Sequence, residues 1–154
     1  MIIAITGVPG TGKTEICRIL CQQGYECLGL SGVKGVNSCI EDDEVDLECL
    51  SRKVRNMEKN HIIFESHLSH LIKPDFAIIL YREAASVEHV LRSRSYSNEK
   101  ILENIDALIS DVIYYEALEA LPSPRIHRVF NTEGDLYKTA SKVRQIIDAF
   151  LEKA

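Results

Sequence analysis

The sequence has 154 residues, of which 45% are hydrophobic, and this size predicts one domain over 1–154 with its own core and argues against a second folded domain. A formal net charge of −5 argues against a protein that holds nucleic acid through its overall field, although a local basic patch is compatible with RNA contact. Because no apolar run is long enough to span a membrane and no basic leader precedes the first one, we expect a cytoplasmic protein, or a nuclear one in a eukaryote.

A glycine-rich octet, Gly7-Val8-Pro9-Gly10-Thr11-Gly12-Lys13-Thr14, follows an apolar run over residues 1–5 and precedes a helical pattern. Glycines let the main chain fold tightly, so that its N–H groups wrap the oxygens of a polyphosphate. In such a P-loop the lysine, Lys13, reaches the β- and γ-phosphates, and the Thr14 hydroxyl ligates Mg²⁺. We therefore predict nucleoside triphosphate binding at the N-terminus of the helix; the alternative is a chance glycine turn.

The elements after the P-loop alternate between helix and strand. Apolar spacing predicts a helix from Lys13 that ends at Gly24, a short strand over 27–30 and a second helix over 45–59. The segment over 31–44 contains glycines and ends in four acidic residues, so we expect an exposed, mobile connection there.

All five cysteines lie in the first third of the chain, at positions Cys17, Cys21, Cys27, Cys39 and Cys49. No two of them form a Cys-x-x-Cys pair, so the spacing gives little support to the alternative of a zinc site. Cys17 and Cys21 are four residues apart on the first predicted helix. We expect them to pack as small buried hydrophobic side chains in a reducing compartment.

A buried strand over 62–64 ends in Glu65-Ser66-His67, which is typical of a Walker B element. In a parallel sheet the ligand lies beyond the carboxyl ends of the strands, so we expect Glu65 beside the P-loop, where it orders the waters around Mg²⁺. The alternative is an acid that faces solvent at the end of a strand. His67 and His70 are more simply incidental than metal ligands, and only His67 lies close to the strand end.

Three arginines follow the next predicted strand, over 76–81. Arg82 stands at its carboxyl end, and a helix over 86–93 leads to Arg92 and Arg94. Arginine binds phosphate through a planar pair of donors, so a mobile helical corner that carries these side chains is suited to closing over substrates. A solvated basic face is the alternative.

The rest of the chain predicts helix, strand and helix. Ser97 is expected to cap a long helix that ends at Pro122, and a strand over 126–130 leads to Asn131, in a loop that can reach an adenine edge. A final helix is predicted over 135–153. The inward positions of the long helix are Ile101, Ile105, Leu108, Val112 and Ile113. Five strands that alternate with helices predict a three-layer α/β domain with a mainly parallel sheet.

Three parts of the chain resemble the small archaeal and eukaryotic adenylate kinases of the isoenzyme 6 type, which are also described as ribosome-assembly ATPases. They are the P-loop, the Glu65-Ser66-His67 triplet where the family usually shows Asp-x-His-Gly, and the arginine-tyrosine-helix stretch over 94–105. The resemblance implies a P-loop nucleoside monophosphate kinase fold. It also implies a monophosphate-binding segment at about 29–48, here called the acceptor segment, and a short lid at about 93–103.

The resemblance implies roles for individual residues. The implied ATP contacts are Gly10, Thr11, Gly12, Lys13, Thr14, Glu15, Arg94 and, together with its loop, Asn131. The implied monophosphate contacts are Ser31, Lys34 and Arg92. The implied catalytic groups are Lys13, Glu65, His67, Arg82 and Arg94, and Thr14 with Glu65 would hold Mg²⁺.

Two functions are compatible with the resemblance, and one chain could perform both. The first is transfer of the γ-phosphoryl group of Mg-ATP to AMP or a related monophosphate, with ATPase activity. The second is binding of the eleventh small-subunit ribosomal protein and its ATP-driven release during maturation, with transient contact to the pre-ribosome. The acidic run over 41–44 is a candidate contact for a basic ribosomal tail or else a solvated loop. A small-metabolite kinase on the same scaffold is a third possibility.

Overall fold

The structure, a computed structural model, describes residues 1–57, 59–132 and 134–153. The strands are β1 (Ile2–Thr6), β2 (Cys27–Leu28), β3 (Ile40–Glu41), β4 (Glu44–Val45), β5 (Ile62–Glu65), β6 (Phe76–Tyr81) and β7 (Ile126–Phe130). The α-helices are α1 (Lys13–Gln22), α2 (Leu47–Arg55), α3 (Ala84–Ser93), α4 (Asn98–Ser110), α5 (Val112–Ala120) and α6 (Leu136–Lys153). Short 3₁₀ turns are Leu30–Gly32, Val36–Cys39, Ser69–Leu71 and Ser123–Arg125.

Five parallel strands form the main sheet in the order β2-β5-β1-β6-β7. The central strand β1 pairs Ile5 with Glu65 of β5 on one side and with Ile78 of β6 on the other. Since parallel strands end at the same edge, the residues that follow β1, β5, β6 and β7 lie together. The predicted three-layer fold with a mainly parallel five-stranded sheet is confirmed.

The sheet is buried on both faces, as its continuous apolar strands require. Helices α1 and α6 cover one face around Ile16, Leu20 and Val143. Helices α3, α4 and α5 cover the other around Val87 and Leu91. A third cluster lies under α2, around Leu50, Val54 and Phe64. Each such side chain contributes about 1.5–3 kcal/mol on burial, so the core fixes the strand ends that carry the site.

The single long helix predicted from Ser97 to Pro122 is two helices, so that prediction is wrong. Ser97 caps α4 as predicted, because its Oγ accepts a hydrogen bond from the Lys100 N–H at 3.2 Å. The chain then breaks at Asp111, whose φ of 59° is left-handed, a conformation that aspartate tolerates better than most residues. Val112 is consequently 40% exposed and does not face the core.

Most residues over 31–44 are exposed, as predicted, but they include two 3₁₀ turns and a hairpin, and their mobility stays a prediction. Val33 and Val36 are buried there in the α2 cluster, and Cys39 is buried as well. The acidic run forms the tip of the β3–β4 hairpin, with Asp42 and Asp43 at positive φ, and it is exposed. The buried residues thus recur every three positions, which is the spacing of a 3₁₀ helix and not of an α-helix or a strand.

The cysteines differ from expectation. Cys17 is joined to Cys27 and Cys39 to Cys49 in disulfide bonds, with Cα–Cα distances of 5.6 Å and 5.4 Å. Cys21 is free and exposed. Cys17 is buried as expected, whereas the expected burial of Cys21 is wrong, and Cys17 is not a free thiol because β2 returns along α1 and places Cys27 against it. Across residues 1–57, 59–132 and 134–153, no cluster of three or more His, Cys, Asp or Glu side chains could hold a metal.

No helix in the described part of the chain is long and apolar enough to cross a membrane.

Candidate nucleotide site

The P-loop lies between the end of β1 and the start of α1, as the sequence predicts. Gly12 immediately precedes α1 and has a left-handed φ of 99°. A Cβ on Gly12 would lie only 2.4 Å from Asn131 Nδ2, so both the backbone angle and the space require glycine. The loop is thereby closely packed against the end of β7.

Asn131 holds the P-loop from that side. Its side chain is buried, and Nδ2 donates a hydrogen bond to the carbonyl oxygen of Thr11 at 3.0 Å. The amide is thus engaged with the loop backbone instead of pointing at a base. Contact between the Asn131 loop and an adenine edge stays a prediction, and the structure adds a positioning role that the sequence did not suggest.

Lys13 is the buried cation of the loop. It is 8% exposed, and Nζ donates hydrogen bonds to the carbonyl oxygens of Gly7 and Val8, both at 2.9 Å. Burial lowers the pKa of Lys13 to about 8, and the negative charge of Glu65 opposes that shift. Because burial disfavours the charged form of Lys13, the negative charge of a phosphate beside it would stabilise that form strongly.

Glu65 ends β5 beside the P-loop, where the Walker B interpretation places it. Its Oε1 accepts a hydrogen bond from the Thr14 hydroxyl at 3.4 Å, and burial raises its pKa while Lys13 lowers it. A carboxylate next to a hydroxyl is a donor set that suits a hard, oxygen-seeking cation such as Mg²⁺. Such an ion keeps waters and phosphate oxygens as its other ligands, so two protein donors are sufficient.

The same carboxylate lies close to the start of the acceptor segment. A Cβ on Gly29 would lie 2.8 Å from Glu65 Oε1, so a larger residue there would require the Glu65 carboxylate to shift. Ser31 and Lys34 follow on the exposed surface of that segment. Their contact with a monophosphate stays a prediction.

The histidines after β5 reverse the expected ranking. His67 is exposed, and partial desolvation together with the positive charge of Lys13 lowers its pKa. His70, set aside on sequence grounds, is only 1% exposed and links two elements. Its Nδ1 lies 2.7 Å from the hydroxyl of Thr6, directly before the P-loop, and its Nε2 lies 3.1 Å from Glu116 on α5. No local pattern marks this role, because both partners are distant in sequence.

The three arginines separate into two groups. Arg82 is half-buried beside the P-loop, with Nη1 3.4 Å from the Gly10 carbonyl oxygen and a buried Nε that has no partner among the described residues. Arg94 is exposed, yet close enough for its charge to lower the pKa of Lys13. Arg92 instead pairs with Glu88 at 2.9 Å and with Asn98 Oδ1 at 2.9 Å. The structure therefore does not bring Arg92 to the site.

Comparison with known proteins agrees with this geometry. A family model described as an AAA domain matches residues 3–111. A protein of Thermoplasma acidophilum named "Putative adenylate kinase" is 40% identical over 95% of this chain and 97% of its own length. A protein of the same name from Thermoplasma volcanium is 39% identical over 96% of this chain and 94% of its own. The chain belongs to this adenylate-kinase-like family of P-loop proteins.

The fold of this adenylate-kinase-like chain is also found in a solved structure, shikimate kinase from Acinetobacter baumannii in complex with shikimate. The TM-score is 0.67 over 96% of this chain and 93% of that one, at 16% sequence identity. This likeness concerns the fold alone. It supports the arrangement of a parallel sheet between two helical layers.

Proposed function

We propose that the chain is a nucleoside monophosphate kinase of the adenylate kinase isoenzyme 6 type. It transfers the γ-phosphoryl group of Mg-ATP to AMP or a related monophosphate and also hydrolyses ATP. The observation that supports the proposal is the approach of Gly29 to Glu65, because a Cβ on Gly29 would lie 2.8 Å from Glu65 Oε1, the oxygen that accepts the Thr14 hydrogen bond. A plain ATPase has no need of a second binding segment at this position.

Phosphoryl transfer requires positioning and charge stabilisation and no covalent intermediate. Lys13 Nζ exchanges its contacts with the Gly7 and Val8 carbonyl oxygens for phosphate oxygens. Arg82 supplies its unpaired Nε to the transferred group, and Arg94 approaches from the lid. Lys13 and Arg82 lie beside the P-loop before the substrate arrives, so little reorganisation of these two donors is needed in the transition state, whereas Arg94 has to move in from the surface.

Thr14 and Glu65 are the residues that would hold Mg²⁺. The ion supplies neutralisation of phosphate charge when it is bound. The desolvated position of Glu65 strengthens its electrostatic effect, while the Thr14 hydroxyl keeps its carboxylate oriented. Ser31 and Lys34, which follow Gly29 in the chain, would bind the monophosphate.

A second candidate function is that of a ribosome-assembly ATPase with little kinase activity. The exposed acidic tip of the β3–β4 hairpin favours it, because Asp42 and Asp43 present negative charge on a projecting turn. Such a tip suits a basic segment of a ribosomal protein. In that case hydrolysis would depend on the partner and not on AMP.

The test is a product balance. The chain is incubated with Mg-ATP and, in turn, AMP, dAMP, CMP, UMP and GMP, and nucleotides are quantified by chromatography. We expect each AMP consumed to yield two ADP, with slower release of inorganic phosphate when ATP is alone. The Lys13→Ala variant, purified in parallel, reports contaminating kinases. Release of phosphate at one rate with and without every monophosphate, and no phosphorylated acceptor, would contradict the proposal.

A further inference from the structure

Three cysteines converge at the edge strand next to the P-loop helix. Cys17 and Cys21 are one turn apart on α1, and both contact Cys27 of β2. The Cys17 and Cys27 sulfurs form a disulfide bond within the core. The thiol of Cys21 donates a hydrogen bond to the Cys27 carbonyl oxygen at 3.0 Å, and its side chain is exposed. One free thiol thus lies next to a buried disulfide and opens to solvent.

We propose that Cys17, Cys21 and Cys27 form a thiol–disulfide exchange site in which the exposed Cys21 thiol connects the buried Cys17–Cys27 bond to a dithiol reductant. This is a modification site separate from the nucleotide site. It lies further along α1 than the P-loop glycines, which precede the helix. Its ligand class is a small dithiol or a protein with a reactive dithiol.

The exchange balances without any additional oxidant. Cys21 first loses its proton to water, and its thiolate attacks the Cys27 sulfur. A Cys21–Cys27 bond forms while the Cys17–Cys27 bond breaks. Cys17 leaves as a thiolate and takes up a proton. The new disulfide has an exposed sulfur at Cys21. A reductant thiolate attacks that sulfur and releases Cys27, and the second reductant thiol then releases Cys21. The net change is one protein disulfide to two thiols and one dithiol to a disulfide.

The site is placed to control the acceptor segment. Cys17 belongs to the helix that begins at the P-loop, and Cys27 lies two residues before Gly29, where the acceptor segment contacts Glu65. The disulfide therefore fixes the base of the acceptor segment to the P-loop helix. Reduction of the Cys17–Cys27 bond removes that tether. The resulting change in the KM for AMP is an expectation that rests on the proposed function.

The second disulfide is an internal control. Cys39–Cys49 joins the far part of the acceptor segment to α2. Cys21 is the one free cysteine among the described residues. Its thiol donates a hydrogen bond to the carbonyl oxygen of Cys27, so it lies beside the first disulfide bond and not the second. A reductant must then attack Cys39–Cys49 directly. The two bonds enclose equal sequence separations of 10 residues, so loop length does not distinguish them.

The experiment measures the opening of both bonds in the native protein. Air-oxidised protein is mixed with equimolar dithiothreitol, samples are quenched with acid and an alkylating reagent, and labelled cysteines are assigned by peptide mass spectrometry. We expect Cys17–Cys27 to open about tenfold faster than Cys39–Cys49, because the first attack is intramolecular. In Cys21→Ser that advantage should disappear while Cys39–Cys49 keeps its rate. Circular dichroism checks that the variant is folded.

An unchanged opening rate of Cys17–Cys27 in Cys21→Ser would overturn the proposal, as would free thiols at both Cys17 and Cys27 in the air-oxidised protein. A second readout compares the KM for AMP before and after reduction, with a several-fold increase expected in wild type and in Cys21→Ser once each is fully reduced. Absence of any AMP phosphorylation would count against the proposed function only, since the opening rates are measured without nucleotide.

Discussion

The two halves of the nucleotide site are built differently. On the P-loop side, Lys13 is buried, Arg82 and Glu65 are half-buried, and Lys13 and Glu65 are held by hydrogen bonds to neighbouring residues. On the acceptor and lid side, Lys34 and Arg94 are exposed. The P-loop side is therefore formed within the core, whereas Lys34 and Arg94 lie at the surface, and under the proposed function substrate binding would bring these two charges in.

Charge strength explains why this difference matters. Two unit charges 4 Å apart interact by about 4 kcal/mol at the effective dielectric constant near a protein, but by about 1 kcal/mol in water. Groups on the P-loop side therefore contribute more per residue than groups on the acceptor side. We expect substitutions to rank accordingly.

The largest effect is expected at Lys13. Lys13→Met keeps the alkyl stem in its buried position and removes the charge, so turnover should fall by about a thousandfold, at or beyond the scale of a lost electrostatic donor. Steady-state assays and circular dichroism are compared with those of Lys142→Met, an exposed lysine on α6. Turnover within a few-fold of wild type would show that the buried cation does not act on phosphate.

Glu65 is expected to come next. Glu65→Gln keeps the shape and the contact with Gly29 but removes the charge, and turnover should fall by about a hundredfold. Glu65→Asp should keep part of the activity because it retains a carboxylate. Equal activity of the glutamine variant would return Glu65 to the role of a strand-end acid without function, and titration of Mg²⁺ against turnover would separate metal loss from misfolding.

The pKa of Lys13 predicts a pH dependence of ATP affinity. Lys13 is protonated below its pKa of about 8 and neutral above it, and only the protonated form attracts a triphosphate. The Kd for ATP should therefore rise about tenfold per pH unit above that value, until the pKa of the complex is reached. Calorimetry at pH 8.5 in two buffers of different ionisation enthalpy should show proton uptake on binding. A flat profile that matches Lys13→Met would contradict the assignment.

A smaller effect is expected at Asn131. Asn131→Ala leaves the buried Thr11 carbonyl oxygen without its donor, which costs about 1–3 kcal/mol of unfolding free energy, and ATP affinity should fall only several-fold. Denaturant unfolding measures the first quantity and calorimetry the second. The matched control is Asn104→Ala, which removes an exposed hydrogen bond to the Lys100 carbonyl oxygen. Equal unfolding free energies for the two variants would contradict the positioning role of Asn131.

The strands and the P-loop can be read from the sequence because their signals are local. An apolar run such as residues 76–81 has few alternatives to a buried strand, and glycines before Lys13 permit one kind of loop. The position of Glu65 beside the P-loop follows from sheet geometry, because the carboxyl ends of parallel strands lie at the same edge. The break at Asp111 cannot be read in this way, because aspartate is compatible with a continuous helix as well as with a left-handed residue.

Tertiary contacts account for the other differences. The acceptor segment is anchored by Val33 and Val36, which are three residues apart, but two positions are too few to distinguish a short 3₁₀ turn from a loop in the sequence. Pairing among the cysteines depends on the return of β2 along α1, which spacing alone does not determine. His70 gains its partners from β1 and α5, and Arg92 pairs with Glu88 one turn away on the surface of α3, so its contact with a monophosphate stays a prediction.

The proposed function requires two nucleotide sites that adjoin near Gly29 and Glu65, and one bisubstrate ligand distinguishes two adjoining sites from one. Calorimetry measures an adenosine–oligophosphate–adenosine mimic, ATP and AMP against wild type, Lys34→Ala and Arg94→Ala. We expect the mimic to bind far more tightly than ATP, because linking the halves makes the second binding event intramolecular. Both variants should weaken the mimic, while only Arg94→Ala weakens ATP. No advantage of the mimic over ATP, together with undetectable AMP binding, would contradict the account.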